Sequence, residues 1–171
     1  MSIMELRDVN HVFRRGGKEV HAVNGVSLSV AKGETVAVIG ESGSGKSTLG
    51  RIALGLITPT SGSVVFDGIE LTALSRKQMR PLRSRLQVVF QEPYESLNPR
   101  LKVGDIIAEP LIIHRPELSR AERREKVVAM LERVGLTAEH ADRLPRNLSG
   151  GQQQRIGIAR AIITEPELVI L

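Results

Sequence analysis

Nine consecutive residues in the first third of the chain have the types and spacing needed to hold a phosphate group. They fit the pattern G-x-x-x-x-G-K-[ST] and are Gly40, Glu41, Ser42, Gly43, Ser44, Gly45, Lys46, Ser47 and Thr48. Glycines let the backbone turn so that its N–H groups face an anion, lysine adds a mobile positive charge, and a serine hydroxyl can bind Mg²⁺. The pattern predicts a nucleotide-phosphate loop, with Lys46 on the β- and γ-phosphates and Ser47 on the metal ion.

The elements predicted on either side of this loop suit that role. Residues 35–39 form a continuously apolar run, which predicts a parallel strand covered on both faces. Residues 46–56 have a helical pattern that ends before Pro59. A strand before the loop and a helix after it favour phosphate binding over a merely flexible loop of glycine and serine.

The rest of the pattern changes from strands to helices along the chain. Alternating apolar residues near the start predict half-buried antiparallel strands, joined by a turn at Gly16 and Gly17. Strands are predicted at residues 3–9, 20–30, 64–66, 86–90 and 168–171, and helices at residues 75–84 and over most of 103–163. This order indicates an α/β protein with a β-rich start and a helical block.

Composition excludes several classes of protein. There is no cysteine among the 171 residues, which excludes disulfides and thiolate zinc sites. No apolar run approaches the ~20 residues of a bilayer helix, and the first residues do not resemble a secretory signal. We therefore expect a soluble cytoplasmic domain. The net charge is +5, and residues 76–160 carry +7, which fits a nucleic-acid surface, an anion-handling surface or a solvated face.

A second motif narrows the class of phosphate-binding protein. The run Leu148-Ser149-Gly150-Gly151-Gln152 follows the loop by roughly a hundred residues and resembles the LSGGQ signature of the ATP-binding cassette (ABC) ATPases. A serine before two glycines is also an ordinary helix N-cap, but the order of the two motifs favours the signature. The resemblance implies an ABC-type P-loop fold with a RecA-like core, an antiparallel β subdomain and an α-helical subdomain.

The resemblance also implies roles for single residues. Phe13 lies where the family has an aromatic residue that stacks on adenine, although tyrosine is commoner there. Gln91 matches the catalytic Q-loop glutamine, which reaches Mg²⁺ and the attacking water. In a head-to-tail dimer, the γ-phosphate of ATP held by a second ATPase subunit would be capped by the signature residues Ser149, Gly150, Gly151 and Gln152.

One segment is similar to a narrower group within the family. Residues 88–100, with the sequence VVFQEPYESLNPR, resemble the ATPase subunits of bacterial dipeptide, oligopeptide and nickel importers. This similarity implies import of peptides or nickel at the cytoplasmic face of the inner membrane, with an indirect role for a solute-binding protein. Permease subunits would dock between Gln91 and Arg100, where Pro93 and Pro99 predict a stiff connector.

The family pattern is not complete within the 171 residues. Residues 165–171 resemble the approach to the Walker B strand, but the Asp and Glu that follow it in the family are not among them. The D-loop and switch histidine are also absent, and the histidines at 11, 21, 114 and 140 are predicted to be solvated or structural. We therefore expect one incomplete ABC ATP-binding domain that hydrolyses ATP only in the intact protein. Its parts are 1–90 (β subdomain and phosphate-loop core), 91–164 (Q-loop and helical signature subdomain) and 165–171 (start of the Walker B strand).

Two other functions stay open. One is an ATP-binding or interaction module without turnover. The other is a nucleic-acid-associated ABC ATPase, which the basic block 76–160 favours. The lack of zinc-binding cysteines, of a heptad coiled coil and of aromatic residues to stack on bases argues against it. The mixed charges of residues 120–126 predict a solvated helix face, so we expect no nucleic-acid partner.

Overall fold

The computed structural model describes residues 2–90 and 97–171, which fall into two compact units, Met1–Arg80 and Pro81–Leu171. The first unit is built on a long hairpin of β1 (Ser2–Arg15) and β2 (Lys18–Ala31), paired antiparallel across the predicted glycine turn. Both turn glycines have positive φ angles, 57° and 76°, a conformation that glycine adopts without steric cost. The predicted antiparallel hairpin is therefore confirmed.

Two further strands extend this hairpin into a four-stranded sheet. β3 (Ser61–Phe66) pairs antiparallel with β1, and β4 (Ile69–Glu70) pairs with β3, giving the order β2-β1-β3-β4. The first unit also contains the helices α1 (Lys46–Ala53) and α2 (Arg76–Met79). Its interior is aliphatic apart from one aromatic ring, and its fully buried side chains include Met4, Val9, Ile52, Val64 and Phe66.

The segment before the phosphate loop differs from the prediction. Residues 35–39 are predicted as a buried parallel strand, but the structure assigns no strand to residues 34–40. Val38 is 49% exposed and Ile39 is 92% exposed. An apolar, β-branched run becomes a strand only where neighbouring strands accept and donate its hydrogen bonds, and no described strand pairs with this run. The prediction of a buried strand is therefore wrong for this segment.

The second unit combines a parallel strand pair with three long helices. β5 (Leu86–Val88) and β6 (Leu168–Ile170) run parallel, with Leu86 opposite Leu168 and Val88 opposite Ile170. Both strands are shorter than predicted. The helices are α3 (Val103–His114), α4 (Arg120–Arg133) and α5 (Gly150–Ile162), as the helical block in the sequence predicts. They enclose an apolar core whose most buried members include Val103, Ile106, Ile107, Leu111, Leu131 and Ile156.

Local signals set the limits of α4. Ser119 caps its first turn by accepting a hydrogen bond from the Glu122 backbone N–H, and the Glu122 carboxylate accepts one from the Ser119 N–H in return. Gly135, with φ 75°, follows the last turn and allows the chain to leave the helix. An exposed ion pair then ties α4 to the 3₁₀ turn Ala138–Asp142, because Arg124 Nη2 lies 2.8 Å from Asp142 Oδ2. The hydrogen bond and charge of Arg124, assisted by Lys102, lower the pKa of Asp142.

The longest described helix, α4, has 14 residues. Within residues 2–90 and 97–171, no helix combines the length and hydropathy that crossing a bilayer requires.

Candidate functional site

The phosphate loop depends on backbone positions that only glycine tolerates. Gly43 and Gly45 have φ angles of 82° and 93°, in the left-handed region that side chains rarely occupy. A Cβ atom on Gly45 would lie 1.9 Å from the carbonyl oxygen of Ala22 in β2. The loop is therefore seated directly against the hairpin, and the second glycine of the motif is required by this close approach.

Lys46 places its ammonium group over the same loop. Its Nζ donates hydrogen bonds to the carbonyl oxygens of Gly40, at 2.7 Å, and Glu41, at 2.6 Å. Helix α1 begins at this residue after Gly45, which offers no side-chain cap to the first turn. The backbone N–H groups of that turn and the positive end of the helix dipole are thus available to an anion. A lysine charge, uncapped N–H groups and a turn of exposed small residues together fit a phosphate chain.

Phe13 is anchored to the same hairpin as the phosphate loop. It lies in β1 opposite Val20 of β2, two residues before the Ala22 carbonyl that Gly45 approaches. Phe13 is 43% exposed and therefore accessible for stacking. One edge contact holds the ring, since the His11 ring lies 4.6 Å away at an interplanar angle of 83°. The role of Phe13 in adenine binding remains a prediction.

The signature begins helix α5 with a reciprocal cap. The Ser149 side-chain oxygen accepts a hydrogen bond from the Gln152 N–H at 3.3 Å, and the Gln152 side-chain oxygen accepts one from the Ser149 N–H at 2.9 Å. The Ser149 hydroxyl group only accepts in this pair of bonds. Its O–H can therefore donate a hydrogen bond to a ligand. The cap thus holds the serine oxygen at the start of the helix, where the dipole favours an anion.

A buried glutamine fixes the chain just before the signature. Gln153 is 2% exposed, and its Nε2 donates to the carbonyl oxygens of Pro145, at 3.0 Å, and Leu148, at 3.2 Å. Both carbonyls belong to the segment that leads into the helix. Their hydrogen bonds satisfy a buried amide and fix the path of that segment.

Among the described residues, nothing gives Gly150 and Gly151 a steric reason to be glycine. Neither has a positive φ angle, and a Cβ atom on either would meet no other atom within 4 Å. Both are exposed in the first turn of α5, where glycine costs up to about 1 kcal/mol relative to alanine. Residues that weaken a helix without relieving any contact suggest a ligand that approaches from outside.

The carboxyl ends of β5 and β6 lie side by side, because the two strands are parallel and Val88 is opposite Ile170. The Val89 N–H continues the ladder by donating to the Ile170 carbonyl oxygen at 2.9 Å. Gln91 follows this edge in the sequence but lies outside the described residues. Its predicted catalytic and metal-binding role, and the predicted permease connector around Pro93, therefore remain predictions.

The sequence did not predict that Ala22, Gln153 and His140 contact the two motifs. Ala22 acts through a backbone carbonyl, which no side-chain pattern can reveal. Gln153 follows the signature but is identified as an anchor only by its burial. His140 contacts Gln152, with 3.3 Å between the His140 Nε2 and the Gln152 Nε2 atoms. The strand alternation could have identified His11, because it lies on the same face of β1 as Phe13.

Known proteins similar to this chain belong to the class that the phosphate loop and the signature predict. The family model for the ABC transporter matches residues 23–171. The chain is 48% identical over 166 residues to the oligopeptide transport ATP-binding protein OppF of Escherichia coli K12, covering 97% of this chain and 50% of that protein. It is also 48% identical over 177 residues to the oligopeptide transport ATP-binding protein AppF of Bacillus subtilis 168, covering 99% of this chain and 54% of that protein. The chain thus spans about half the length of the curated relatives it matches.

A solved structure is similar over almost the whole chain. It is the dimeric post-hydrolysis state of the ATP-binding cassette MJ0796 bound to ADP and Pi, with a TM-score of 0.90 and 34% sequence identity. The similarity covers 97% of this chain and 72% of that one. With the phosphate loop and the signature, these similarities establish that the chain belongs to the ABC transporter family.

Proposed function

We propose that this chain is the nucleotide-binding part of an ATPase subunit that binds ATP and Mg²⁺ and powers bacterial import of peptides. The observation that carries the proposal is the geometry of the phosphate loop. Lys46 donates hydrogen bonds to the backbone carbonyl oxygens of the loop, and α1 starts without a side-chain cap. The similarity to oligopeptide transport ATP-binding proteins supports peptides as the cargo. The subunit acts at the cytoplasmic face of the inner membrane.

Each residue group has a distinct task in binding ATP. Lys46 exchanges its bonds to the loop carbonyls for the β- and γ-phosphates, while the N–H groups of the first turn of α1 hold the phosphate chain. Phe13 stacks on the adenine ring. Ser47, exposed beside Lys46, offers the hard oxygen ligand that Mg²⁺ prefers, with Gln91 as the second protein ligand. When bound, Mg²⁺ neutralises charge on the β- and γ-phosphates.

The signature acts on ATP held by a second ATPase subunit in a head-to-tail dimer. The Ser149 hydroxyl donates a hydrogen bond to a γ-phosphate oxygen. The glycines that follow it leave room for the phosphate near the start of the helix. The dimeric arrangement of the similar cassette supports this proposal. Closing of the dimer on ATP and opening after hydrolysis then drive the permease.

Alanine at position 151 should raise stability and impair ATP hydrolysis. The Gly151→Ala change adds helix propensity, so we expect unfolding to cost about 0.5–1 kcal/mol more. The new methyl group would lie where the γ-phosphate must approach, so one hydrogen bond between the signature and the phosphate would be lost. A hydrogen bond to a charged group contributes about 1.5–3 kcal/mol, so we expect kcat/KM to fall about 10- to 100-fold. Thermal unfolding and steady-state hydrolysis by the complete transporter measure both effects.

Gly157→Ala is the matched control for this experiment. Gly157 lies in the same helix, and a Cβ atom there would also meet nothing within 4 Å, but the residue is buried. We expect a similar gain in stability and unchanged hydrolysis. If Gly151→Ala hydrolyses ATP as fast as Gly157→Ala, the signature does not act on the nucleotide. If the complete protein binds ATP but does not hydrolyse it, the alternative of an ATP-binding or interaction module without turnover would be favoured over a transport ATPase.

A shallow groove in the second unit is the proposed contact with the permease. Its volume is about 340 Å³, and it lies between β5 and the last turns of α3, lined in part by Phe90, Glu109, Pro110, Ile113 and Arg160. In the sequence, Phe90 directly precedes the predicted connector of residues 91–100. Burial among these side chains lowers the pKa of Arg160, and Glu109 opposes this effect. A groove lined by both apolar and charged side chains suits a short cytoplasmic helix of the permease.

A charge placed in this groove should uncouple the subunit from its permease. We expect Ile113→Glu to abolish assembly or ATP-driven uptake of a labelled peptide in proteoliposomes, because an unpaired carboxylate would be buried in the contact. ATP binding by the free subunit should not change. Ile112→Glu is the control, since Ile112 is 53% exposed against 52% for Ile113 but does not line the groove. Equal uptake by both variants would place the contact elsewhere, and uptake of Ni²⁺ in place of peptide would correct the cargo.

A further inference from the structure

We propose that His11 is a positioning residue for Phe13, holding its ring ready to stack on the adenine of ATP. This inference rests on the proposed function, because it concerns the base end of the same nucleotide. His11 lies in β1 two residues before Phe13, and the centroids of the two rings are 4.6 Å apart with an interplanar angle of 83°. An edge-to-face pair is one of the arrangements that aromatic rings prefer.

His11 connects the exposed ring of Phe13 to the interior of the first unit. Val9, His11 and Phe13 share one face of β1, because alternate residues of a strand point the same way. Exposure rises along this row, from 0% for Val9 through a half-buried His11 to 43% for Phe13. Val23, directly opposite His11 in β2, is also buried. The neighbours of His11 along and across the strands are therefore core residues, and the neighbour of Phe13 is His11.

The support comes from the ring of His11 and not from its nitrogen atoms. Nδ1 and Nε2 are both buried, and neither has a hydrogen-bond partner among the described residues. A buried polar atom without a partner costs free energy, so an apolar ring would fit this position at least as well. The position therefore requires a flat ring, which the change His11→Phe preserves.

A β-bulge in β2 lies beside His11. The register shifts after the pair of His11 and Val23, and the next residue of β2, Ala22, is not paired with any residue of β1. The carbonyl oxygen of this bulged residue is the atom that a Cβ on Gly45 would approach to 1.9 Å. The phosphate loop and the support of Phe13 therefore meet the hairpin at the same point, which sets the spacing between the sites for the phosphates and the base.

Without this support, the Phe13 side chain would have to be ordered each time ATP binds. Phe13 is exposed, and the His11 ring is the only ring that contacts it within residues 2–90 and 97–171. Without that contact the side chain can adopt several rotamers, and fixing one of them opposes stacking. The cost applies to binding of the base and not of the phosphates, so a ligand without a base should be unaffected.

The test compares two replacements of His11 in the complete subunit. His11→Leu keeps apolar bulk but has no ring, and we expect its Kd for ATP to rise about three- to tenfold, the range for ordering one side chain. His11→Phe keeps the ring, and we expect its Kd for ATP to stay within about twofold of that of the parent. The Kd for tripolyphosphate, which has no base, should be equal in all three proteins. Isothermal titration without Mg²⁺, which prevents turnover, measures both ligands.

His21→Leu is the matched control for these variants. His21 is an exposed histidine in β2 of the same hairpin. We expect its replacement to leave the Kd values for ATP and tripolyphosphate unchanged. Thermal unfolding establishes that each variant is folded.

Phe13→Ala and Lys46→Ala separate this inference from the proposed function. If Phe13→Ala weakens ATP binding but His11→Leu does not, the positioning role is overturned and the proposed function stands. Equal losses of ATP affinity in His11→Leu and His11→Phe also overturn that role, as does an equal loss for ATP and tripolyphosphate in His11→Leu. If Phe13→Ala leaves the Kd for ATP unchanged, the adenine contact and the positioning role both fail. The phosphate site fails with them only if Lys46→Ala also leaves that Kd unchanged.

Discussion

Replacing Lys46 with alanine is expected to weaken ATP binding at least about a hundredfold. The Lys46 ammonium reaches the Gly40 and Glu41 carbonyl oxygens, at 2.7 Å and 2.6 Å, and is therefore held over the loop that receives the phosphates. Hydrogen bonds to charged groups contribute about 1.5–3 kcal/mol each, and two such bonds to the β- and γ-phosphates account for this loss. Isothermal titration of the purified protein with ATP measures it.

The fold should tolerate this change. The carbonyl groups that lose the lysine lie in an exposed loop, where water can replace the bonds, so we expect little change in the melting temperature. Lys77→Ala is a matched control, because Lys77 is an exposed lysine of α2 in the same unit. ATP affinity that is equal in the Lys46 and Lys77 variants would rule out phosphate binding at this loop.

Replacing Gly45 with alanine is expected to cause the largest loss of stability. The methyl group would lie 1.9 Å from the Ala22 carbonyl oxygen, which is part of the paired strand β2 and cannot rotate away. The φ angle of 93° adds strain of its own. Strain at such a backbone angle and overpacking each cost about 1–3 kcal/mol, so we expect a loss of about 3–5 kcal/mol in the free energy of unfolding.

Gly43→Ala separates the two causes. Gly43 has a similar φ angle of 82°, but a Cβ atom there would meet nothing within 4 Å. Its replacement should therefore cost only the backbone strain, about 1–2 kcal/mol. Thermal unfolding without nucleotide distinguishes the variants, since 1 kcal/mol corresponds to about 2–4 °C for a chain of this size. Equal melting temperatures would show that the contact with β2 does not limit this position.

The two binding motifs could be predicted because their requirements are local. A turn that exposes N–H groups needs glycine at nearby positions, and a helix start is recognised by a serine with its partner three residues later, as in Ser149 and Gln152. The β-hairpin was predicted for the same reason, and so was the order of the other elements apart from the strand expected at residues 35–39. Alternation and turn residues act over a few positions, and they identify the elements but not all their limits.

The tertiary structure decided what depends on partners far away in the sequence. Residues 35–39 have the composition of a buried strand, yet all but the half-buried Val36 are exposed, because strand formation needs neighbours that composition does not specify. Gly45 is needed for its backbone angle and also for a contact with Ala22, and this second reason is visible only in three dimensions. His140 contacts Gln152 because the turn after α4 folds back on α5, a contact between elements that side-chain spacing cannot predict.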